Sequence, residues 1–309
     1  MRIATTQYQA MMNQSLQKNQ TRIAELTEQM ANGNRIQAPS DDPVDSVRLS
    51  RLRREEAALT QYRANIEAVQ QRLSKQEGYL SNMVNDMNSG RDLLVWASDG
   101  SNTPDDLNAM VTSLVALRDS LEYTANTVDQ EGRYIFSGTA TGTKPIARDD
   151  TAAPGSRYSY GGNVDQQTVV VGNGITQVAN QNVAGPTTTT GLQDLLNQLD
   201  RTIDTLKTPG VDPNAPAVRT VVSANLKGFD DAMNLFSGKV AVLGGQQNIL
   251  KTLDANHQNV SLANQTAITE IGQLDVGAAA IELSGYSTAL QASYKAYSKI
   301  GNLSLFAAL

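Results

Sequence analysis

Leu52, Leu59, Ile66, Leu73, Leu80, Met87 and Leu94 recur every seven residues without a miss. A second column, Tyr62, Val69, Gln76 and Met83, interleaves with the first. Apolar columns at this spacing form the seam of a coiled coil, because seven residues nearly complete two helical turns. At 1.5 Å per residue, a helix from about Pro43 to Ala97 is roughly 80 Å long. That exceeds the diameter of most small domains, so the chain must build a rod and supply other helices to cover its seam. Gly78 and Gly90 fall inside this helix and are each expected to weaken it by about 1 kcal/mol relative to Ala.

The covering helices are legible. "ASDGSNTPDDL" ends the long helix and starts another. Thr103 suits a cap and Pro104 the first helical position, while Asp105 and Asp106 favour the positive helix end. Leu107, Leu114, Leu121 and Val128 then fall seven apart, and this helix is expected to fold back antiparallel on the rod. Helical spacing resumes at Leu192, Leu195, Leu199, Ile203 and Leu206, and Pro209, Pro213 and Pro216 break it. A further stripe runs Val218, Val222, Leu226, Phe229, Met233, Phe236. From about Leu243 the chain reads as helix almost to its end, with Leu253, Val260, Ala267, Leu274 and Ile281 seven apart and a possible kink at Gly244-Gly245.

The two extremities differ from the rod. Leu16, Ile23, Leu26 and Met30 make a narrow stripe on a helix otherwise rich in Gln, Asn and Thr, with Gly33 placed to cap it in the left-handed conformation. Such a helix is marginal by itself and needs a partner stripe. The last segment carries Leu283, Leu290, Tyr294, Tyr297, Leu303, Leu305 and Phe306 and is more apolar.

Between Gly132 and Gly191 the helical period disappears and glycines concentrate. Thr168 to Val171, a Gly172-Asn173-Gly174 turn and Ile175 to Val178 predict a β-hairpin. The expected fold is mainly α with a small β insert: a long antiparallel coiled-coil bundle, termini paired at one end and the β-rich part at the other. The expected domains are a terminal coiled coil (1–40 with 275–309), a helical rod (41–131 with 192–274) and an outer insert (132–191).

Composition narrows the function. Among 309 residues there is no Cys, which excludes disulfides and thiolate metal sites. Aromatics are 5%, too few for a large ring-stocked core but sufficient for helices packed along narrow seams. A net charge of −6 disfavours nucleic acid and anionic membrane surfaces as partners. No apolar run is long enough to span a bilayer, and "MRIATTQYQAMMNQSLQ" lacks the layout of a cleaved signal peptide. The chain is therefore expected to stay in the cytoplasm or to leave by a route that does not use such a signal.

No constellation of catalytic residues stands out, and the expectation is no enzyme, no cofactor and no metal. His257 is the single histidine and sits among polar helical neighbours, where a solvated or packed ring is the simpler reading. "GTATGTKP" lacks the Lys-Ser/Thr of a phosphate loop, and "GNGITQ" lacks the third glycine of a dinucleotide fingerprint. The segment "NGNRIQAPSDDPVDS" reads instead as a built corner. Pro39 and Ser40 turn the chain, Asp42 caps the helix beginning at Pro43 from the backbone N–H of Asp45 or Val44, and Asp41 adds to capping and solvation. Arg48, Arg51, Arg53 and Arg54 form the densest basic cluster. Glu55 and Glu56 follow directly, so a solvated face is the default, and a contact from Arg48, Arg51 and Arg54 to another subunit is the alternative.

"MRI" at the start, "NRIQAPSDDP" after the first helix, "GRYIFSGT" at Gly132 and "LSLF" near the end occur in that order. This ordered set resembles the hook-associated protein three family of flagellin-related junction proteins of the bacterial flagellum. The likeness covers the helical frame, and Arg157 to Gly185 is its least family-like part. The resemblance implies a structural protein between the hook, through hook-associated protein one, and the flagellin filament. It implies export as an unfolded chain by the flagellar type III apparatus, a chaperone on the C-terminal region before export, copies of the chain in a ring, and an extracellular location. A short flagellin, or a cytoplasmic coiled-coil adaptor, is the alternative. On this reading the terminal stripes (Leu16, Ile23, Leu26, Met30, Ile281, Leu283, Leu290, Tyr294, Tyr297, Leu303, Leu305 and Phe306) are completed only by neighbouring subunits. The first 40 or so and last 35 or so residues are then expected to be mobile in the free monomer.

Overall fold

The computed structural model describes the backbone of residues 2–185 and 191–306, and side chains over 7–185 and 191–299. Among these residues the order is α1 (Arg2–Asn32), α2 (Pro43–Ala97), α3 (Pro104–Ala125), β1 (Ile146–Arg148), β2 (Tyr158–Tyr160), β3 (Thr168–Gly172), β4 (Ile175–Val178), α4 (Leu192–Leu206), α5 (Pro216–Gly272) and α6 (Val276–Phe306). They form two compact units, Met1–Leu59 with Gln258–Leu309, and Thr60–His257.

The central unit, Thr60–His257, is organised by the heptad seam. Ile66, Leu73, Leu80, Met87 and Leu94 are all buried there, as are Val69 and Met83 of the second column. In this unit α5 runs antiparallel to α2. The rungs are Arg63 Nε to Asp254 Oδ1 at 3.0 Å, Gln247 Nε2 to Glu77 Oε2 at 2.6 Å and Arg91 Nε to Asp230 Oδ1 at 2.6 Å. The capping box at Thr103 and Asp106 starts α3 as expected. The helix then returns along α2, with the Ser120 hydroxyl donating to Asp86 Oδ2 at 2.8 Å.

Gly90 is not merely a weak point in α2. A Cβ there would lie 2.3 Å from Leu117 Cδ2 and 2.8 Å from the Phe229 ring, so its absence lets α3 and α5 approach. Val128 departs from the heptad reading. α3 stops at Ala125, capped at Asn126, and Val128 is exposed in a bridge to Tyr134. The Asn126 side chain clasps both backbone groups of Ile146, an attraction that continued helix would forgo.

The β part comprises two separate antiparallel pairs, β1–β2 and β3–β4. The hairpin expected at Gly172-Asn173-Gly174 is β3–β4, with a register shift between Val170 and Gly172. It is held to the helices through two carbonyls: Asn65 Nδ2 donates to Val170 O at 2.7 Å, and His257 Nε2–H to Val171 O at 2.8 Å. His257 is thus packed, with its ring 5.7 Å from that of Tyr62.

The β1–β2 pair is closed at both edges by amide side chains. Asn126 satisfies Ile146 of β1, while Asn197 clasps the Tyr158 backbone and Gln193 accepts from Tyr160 N on β2. "GRYIFSG" places Phe136 at the core, edge-on to Tyr79 at 6.3 Å. Gly138 adopts φ +73°, and a Cβ there would meet Asn163 O at 2.2 Å, so both conformation and space require glycine.

Polar devices pin α4 and α5 to this region. Asp200, 1% exposed, receives Arg118 and Arg157 at 3.2 Å each and the Gly155 N–H at 3.2 Å. Lys239 donates to Asn182 O at 2.6 Å, Asn182 Oδ1 at 3.1 Å and Ala184 O at 3.2 Å, and its burial lowers its pKa to about 8. Gln76, in the second column, is fully buried with neither amide atom partnered.

Helix runs almost to the end of the chain as expected, as α5, which includes Gly244-Gly245, and then α6, with a break at Gln273 to Asp275. One reading of this part is corrected. The column Leu253, Val260, Ala267, Leu274, Ile281 is not the buried one. Val260 and Ile281 are exposed, whereas Leu243 and Leu250 are buried. The break at Gln273 to Asp275 resets the helical phase, so a heptad cannot carry across it.

In the terminal unit, Met1–Leu59 with Gln258–Leu309, α1 pairs with α6. Gln20 Nε2 donates to Tyr294 Oη at 2.8 Å, and Arg22 pairs with Glu282 at 3.2 Å. Leu26 is buried between them, but Leu16, Ile23, Met30, Leu283 and Leu290 are only half-buried.

Candidate assembly surfaces

The corner is built from two chain breaks joined to each other. Gly33, at φ +70°, ends α1 by donating its N–H to Gln29 O at 2.8 Å. The Arg35 N–H donates to Gly272 O at 2.8 Å and Leu274 N–H to Gly33 O at 3.0 Å, forming a bridge at Asn34 and Gln273. The stop of α1 and the stop of α5 therefore satisfy one another's backbone groups.

Arg35 completes the clasp. Its Nε donates to Ile271 O at 3.1 Å, Nη1 to Asp42 Oδ2 at 3.2 Å and Nη2 to Asp45 Oδ2 at 2.5 Å. The hydrogen bond with Asp42 is the leading cause that raises the Arg35 pKa. Asp42 caps α2 through Oδ1, which accepts from Asp45 N at 3.1 Å, and this bond holds the Asp42 carboxyl below its ordinary range. Asp41 accepts from Ala38 N at 2.9 Å and Gln37 N at 3.0 Å, and is lowered by the same kind of contact. Pro43 is the first helical residue of α2, and Pro39 and Ser40 lie exposed on the turn.

Sequence reasoning placed the prolines and aspartates but missed Arg35. A cation in a short turn with three carboxylates was the available signal. Its partner at Ile271, more than two hundred residues away, left none.

Beside the corner, a groove of about 430 Å³ is lined by Ile36, Ala38, Pro39, Leu49, Ser50, Arg53 and Arg54, among others. Arg48, Arg51, Arg53 and Arg54 are exposed, and Arg54 Nε donates along its own helix to Ser50 O at 3.2 Å. No ion pair engages these four arginines among the described residues. Arg48, Arg51 and Arg54 thus lie on one basic surface of α2, with Arg54 in the groove and the other two outside its lining.

The remaining residues expected at an interface lie along α6. Ile281 is 77% exposed, and Tyr294 and Tyr297 are exposed, although Tyr294 is engaged by Gln20. Leu303, Leu305 and Phe306 lie outside the residues whose side chains are described. The structure brings Leu26 into contact with the α1–α6 seam and leaves Ile281 away from it.

Among the described residues no group of His, Cys, Asp and Glu is placed to hold a metal, and no helix is long and apolar enough to cross a membrane. The arrangement offers surfaces and clasps.

Comparison with known proteins agrees in kind. Residues 3–141 match the family described as the bacterial flagellin N-terminal helical region. Flagellar hook-associated protein 3 of Escherichia coli K12 is 29% identical over 313 residues, covering 99% of each chain. The Salmonella typhimurium LT2 protein of the same name is 28% identical with the same coverage. A solved structure from Vibrio parahaemolyticus, assigned to the flagellar hook-associated proteins, is 32% identical at a TM-score of 0.67. It covers 75% of this chain and all of its own.

Proposed function

The chain belongs to the flagellin-related family of flagellar hook-associated protein 3, structural proteins of the flagellum and not enzymes, and from that premise we propose that it forms a ring of copies at the junction between hook and filament. On the hook side its partner is hook-associated protein one; on the distal side it is flagellin. The chain leaves the cell unfolded through the flagellar type III apparatus, with a chaperone on its C-terminal region beforehand. The terminal stripes on α1 and α6, and Arg48, Arg51 and Arg54 on α2, are its contacts with neighbours.

The observation that carries this reading is the thinness of the terminal unit. Among the described residues its buried apolar ones are Leu26, Leu49, Leu59 and Ala279, whereas Ile281, Tyr294 and Tyr297 remain exposed. A coiled-coil pair with so little closed seam gains stability when further helices cover it. It also unfolds at small cost, which suits passage through a narrow channel. For the assembled state we propose the division into a terminal coil (1–40 with 275–309), a rod (41–131 with 192–274) and an outer insert (132–191), with bounds that differ from those of the two compact units.

A deletion strain tests the junction role. Hooks should be present, filaments absent and flagellin shed into the medium. Retained filaments would overturn the proposal, and long filaments grown from the purified chain alone would make it a filament subunit instead.

A further inference from the structure

The terminal unit carries two exposed surfaces of opposite charge that do not engage each other within the chain. One is the groove at the start of α2, with Leu49 in its floor and Arg53 and Arg54 among its lining residues. Arg48 and Arg51 extend its positive field along the helix. The other begins at the end of α5 and continues on α6. From Thr252 to Tyr294 the chain contains no Lys or Arg, while Asp254, Glu270, Asp275 and Glu282 all fall within that span. Asp254 and Glu282 are paired inside their own units, with Arg63 and Arg22. Glu270 and Asp275 are exposed and in no ion pair among the described residues.

Between these carboxylates and the middle of α6 stands Ile281, 77% exposed, with Val276 also exposed at the start of the helix. The residues around Ile281 at helical spacing are Gly277, Ala280, Ser284 and Gly285, all exposed. A large β-branched side chain among small ones forms a knob that another surface can approach closely. An isoleucine left in water forgoes the gain that burial of its side chain would bring. The groove has the complementary features: apolar Ile36, Pro39 and Leu49 in its lining, with Arg53 and Arg54 beside them.

We infer that the Ile281 ridge of one copy docks in the Leu49–Arg53–Arg54 groove of the next, with Glu270 and Asp275 facing the arginines. This rests on the ring proposed above and names its contact. Charge complementarity selects a second copy as the occupant, since the acidic ridge and the basic groove are both carried by every chain. Two different patches make the contact heterologous, so it propagates from copy to copy and does not stop at a pair.

The absence of cysteine makes the test clean. Ser50→Cys in the groove and Ser284→Cys beside the knob are introduced together into the chain that replaces the natural one in flagellated cells. Sheared flagella are treated with a short bismaleimide. The expected result is a ladder of two, three and more linked chains, no ladder from either single-cysteine variant, and a weaker ladder when Ile281→Ser is added. Filaments retained with no ladder, dimers from one cysteine alone, or linkage only to a different protein would each overturn the contact while leaving the junction role standing. Should the double-cysteine chain fail to retain filaments, charge reversal decides. Arg51→Glu with Arg54→Glu should lower filament retention by about tenfold or more, because like charges then face each other. Adding Glu270→Arg, with Asp275 kept because its Oδ1 caps α6 by accepting from Ala278 N–H at 3.0 Å, should restore it in part, and no loss on the first reversal, or no restoration on the second, overturns the proposal. A deletion strain that kept its filaments would instead overturn the junction role itself.

Discussion

The central unit closes its seam, and the terminal unit leaves most of its seam open. In the central unit the heptad columns from Ile66 to Leu94 meet Leu107, Leu114 and Leu121 of α3, α4's apolar face, and Phe229 and Phe236 of α5. In the terminal unit only Leu26, Leu49, Leu59 and Ala279 reach that degree of burial among the described apolar residues. The same helical period thus serves two purposes. Where several helices surround one stripe it makes a core; where two helices meet with narrow stripes it leaves apolar side chains exposed.

The largest expected consequence is in hydrogen exchange of the isolated chain. Amides of α2 around Leu73 and Leu80 should open only with global unfolding, and those around Ile23 and Leu290 by local opening. The gap should be about 100-fold or more, corresponding to roughly 3 kcal/mol. Equal protection at Leu73 and Ile23 would erase the contrast between the units.

The next effect is specific to the central unit. Asp200→Ala leaves Arg118, itself 7% exposed, without its buried carboxylate. The expected loss is about 3–5 kcal/mol in denaturant unfolding. A loss under 1 kcal/mol would mean that the ion cluster is not what fastens α4 to the β1–β2 loop.

Gln76→Leu should act in the opposite direction. It replaces an unpartnered buried amide with an apolar side chain in a seam of Leu and Met, and should stabilise by about 1–3 kcal/mol. The same substitution removes a polar marker of register, so a lower melting temperature or a mixed population in NMR spectra would show that Gln76 holds the α2–α5 alignment.

Two smaller effects follow from titration. Lys239 has its pKa lowered from 10.5 to about 8 in the folded chain, so between those values the unfolded state binds more protons and stability should rise with pH. Lys239→Met should abolish the rise, and its persistence would assign it to another group. At the corner, Asp41 and Asp42 lie below their ordinary value of 3.8. Their contribution is present above that value and is lost as pH falls through the lowered ones. Faster exchange at Asp45 N–H in acid, ahead of any change in the central unit, is the expected sign.

How much was legible varies from element to element. α2 was readable to its ends, because Pro43 and the polar turn from Ser98 to Thr103 bracket an uninterrupted heptad. The hairpin at Asn173-Gly174 and the Thr103 box were readable because each is a local device with a local cause. The end of α3 was misread because Val128 continues a heptad that Asn126 ends by reaching across to Ile146. The column through Val260 and Ile281 was misread on both sides of a break: Val260 is exposed within α5 itself, and Ile281 follows the break at Gln273 to Asp275, which is held by Gly33 and Arg35 far away in sequence. Glu270, Asp275 and Ile281 were visible as residues, but nothing in their spacing showed that they stay exposed in the same unit that carries the groove at Leu49, Arg53 and Arg54.

The sequence by itself determined the period, hence the helices, their caps and the place where helix gives way to β-hairpin, because these follow from contacts within a few residues. Only the tertiary structure decided which stripes are closed and which stay open. It also decided that Gly90 admits Phe229, that Asp200 gathers two arginines and that one arginine joins two breaks. These depend on residues brought together across most of the chain, and burial is a property of the company a side chain keeps in space.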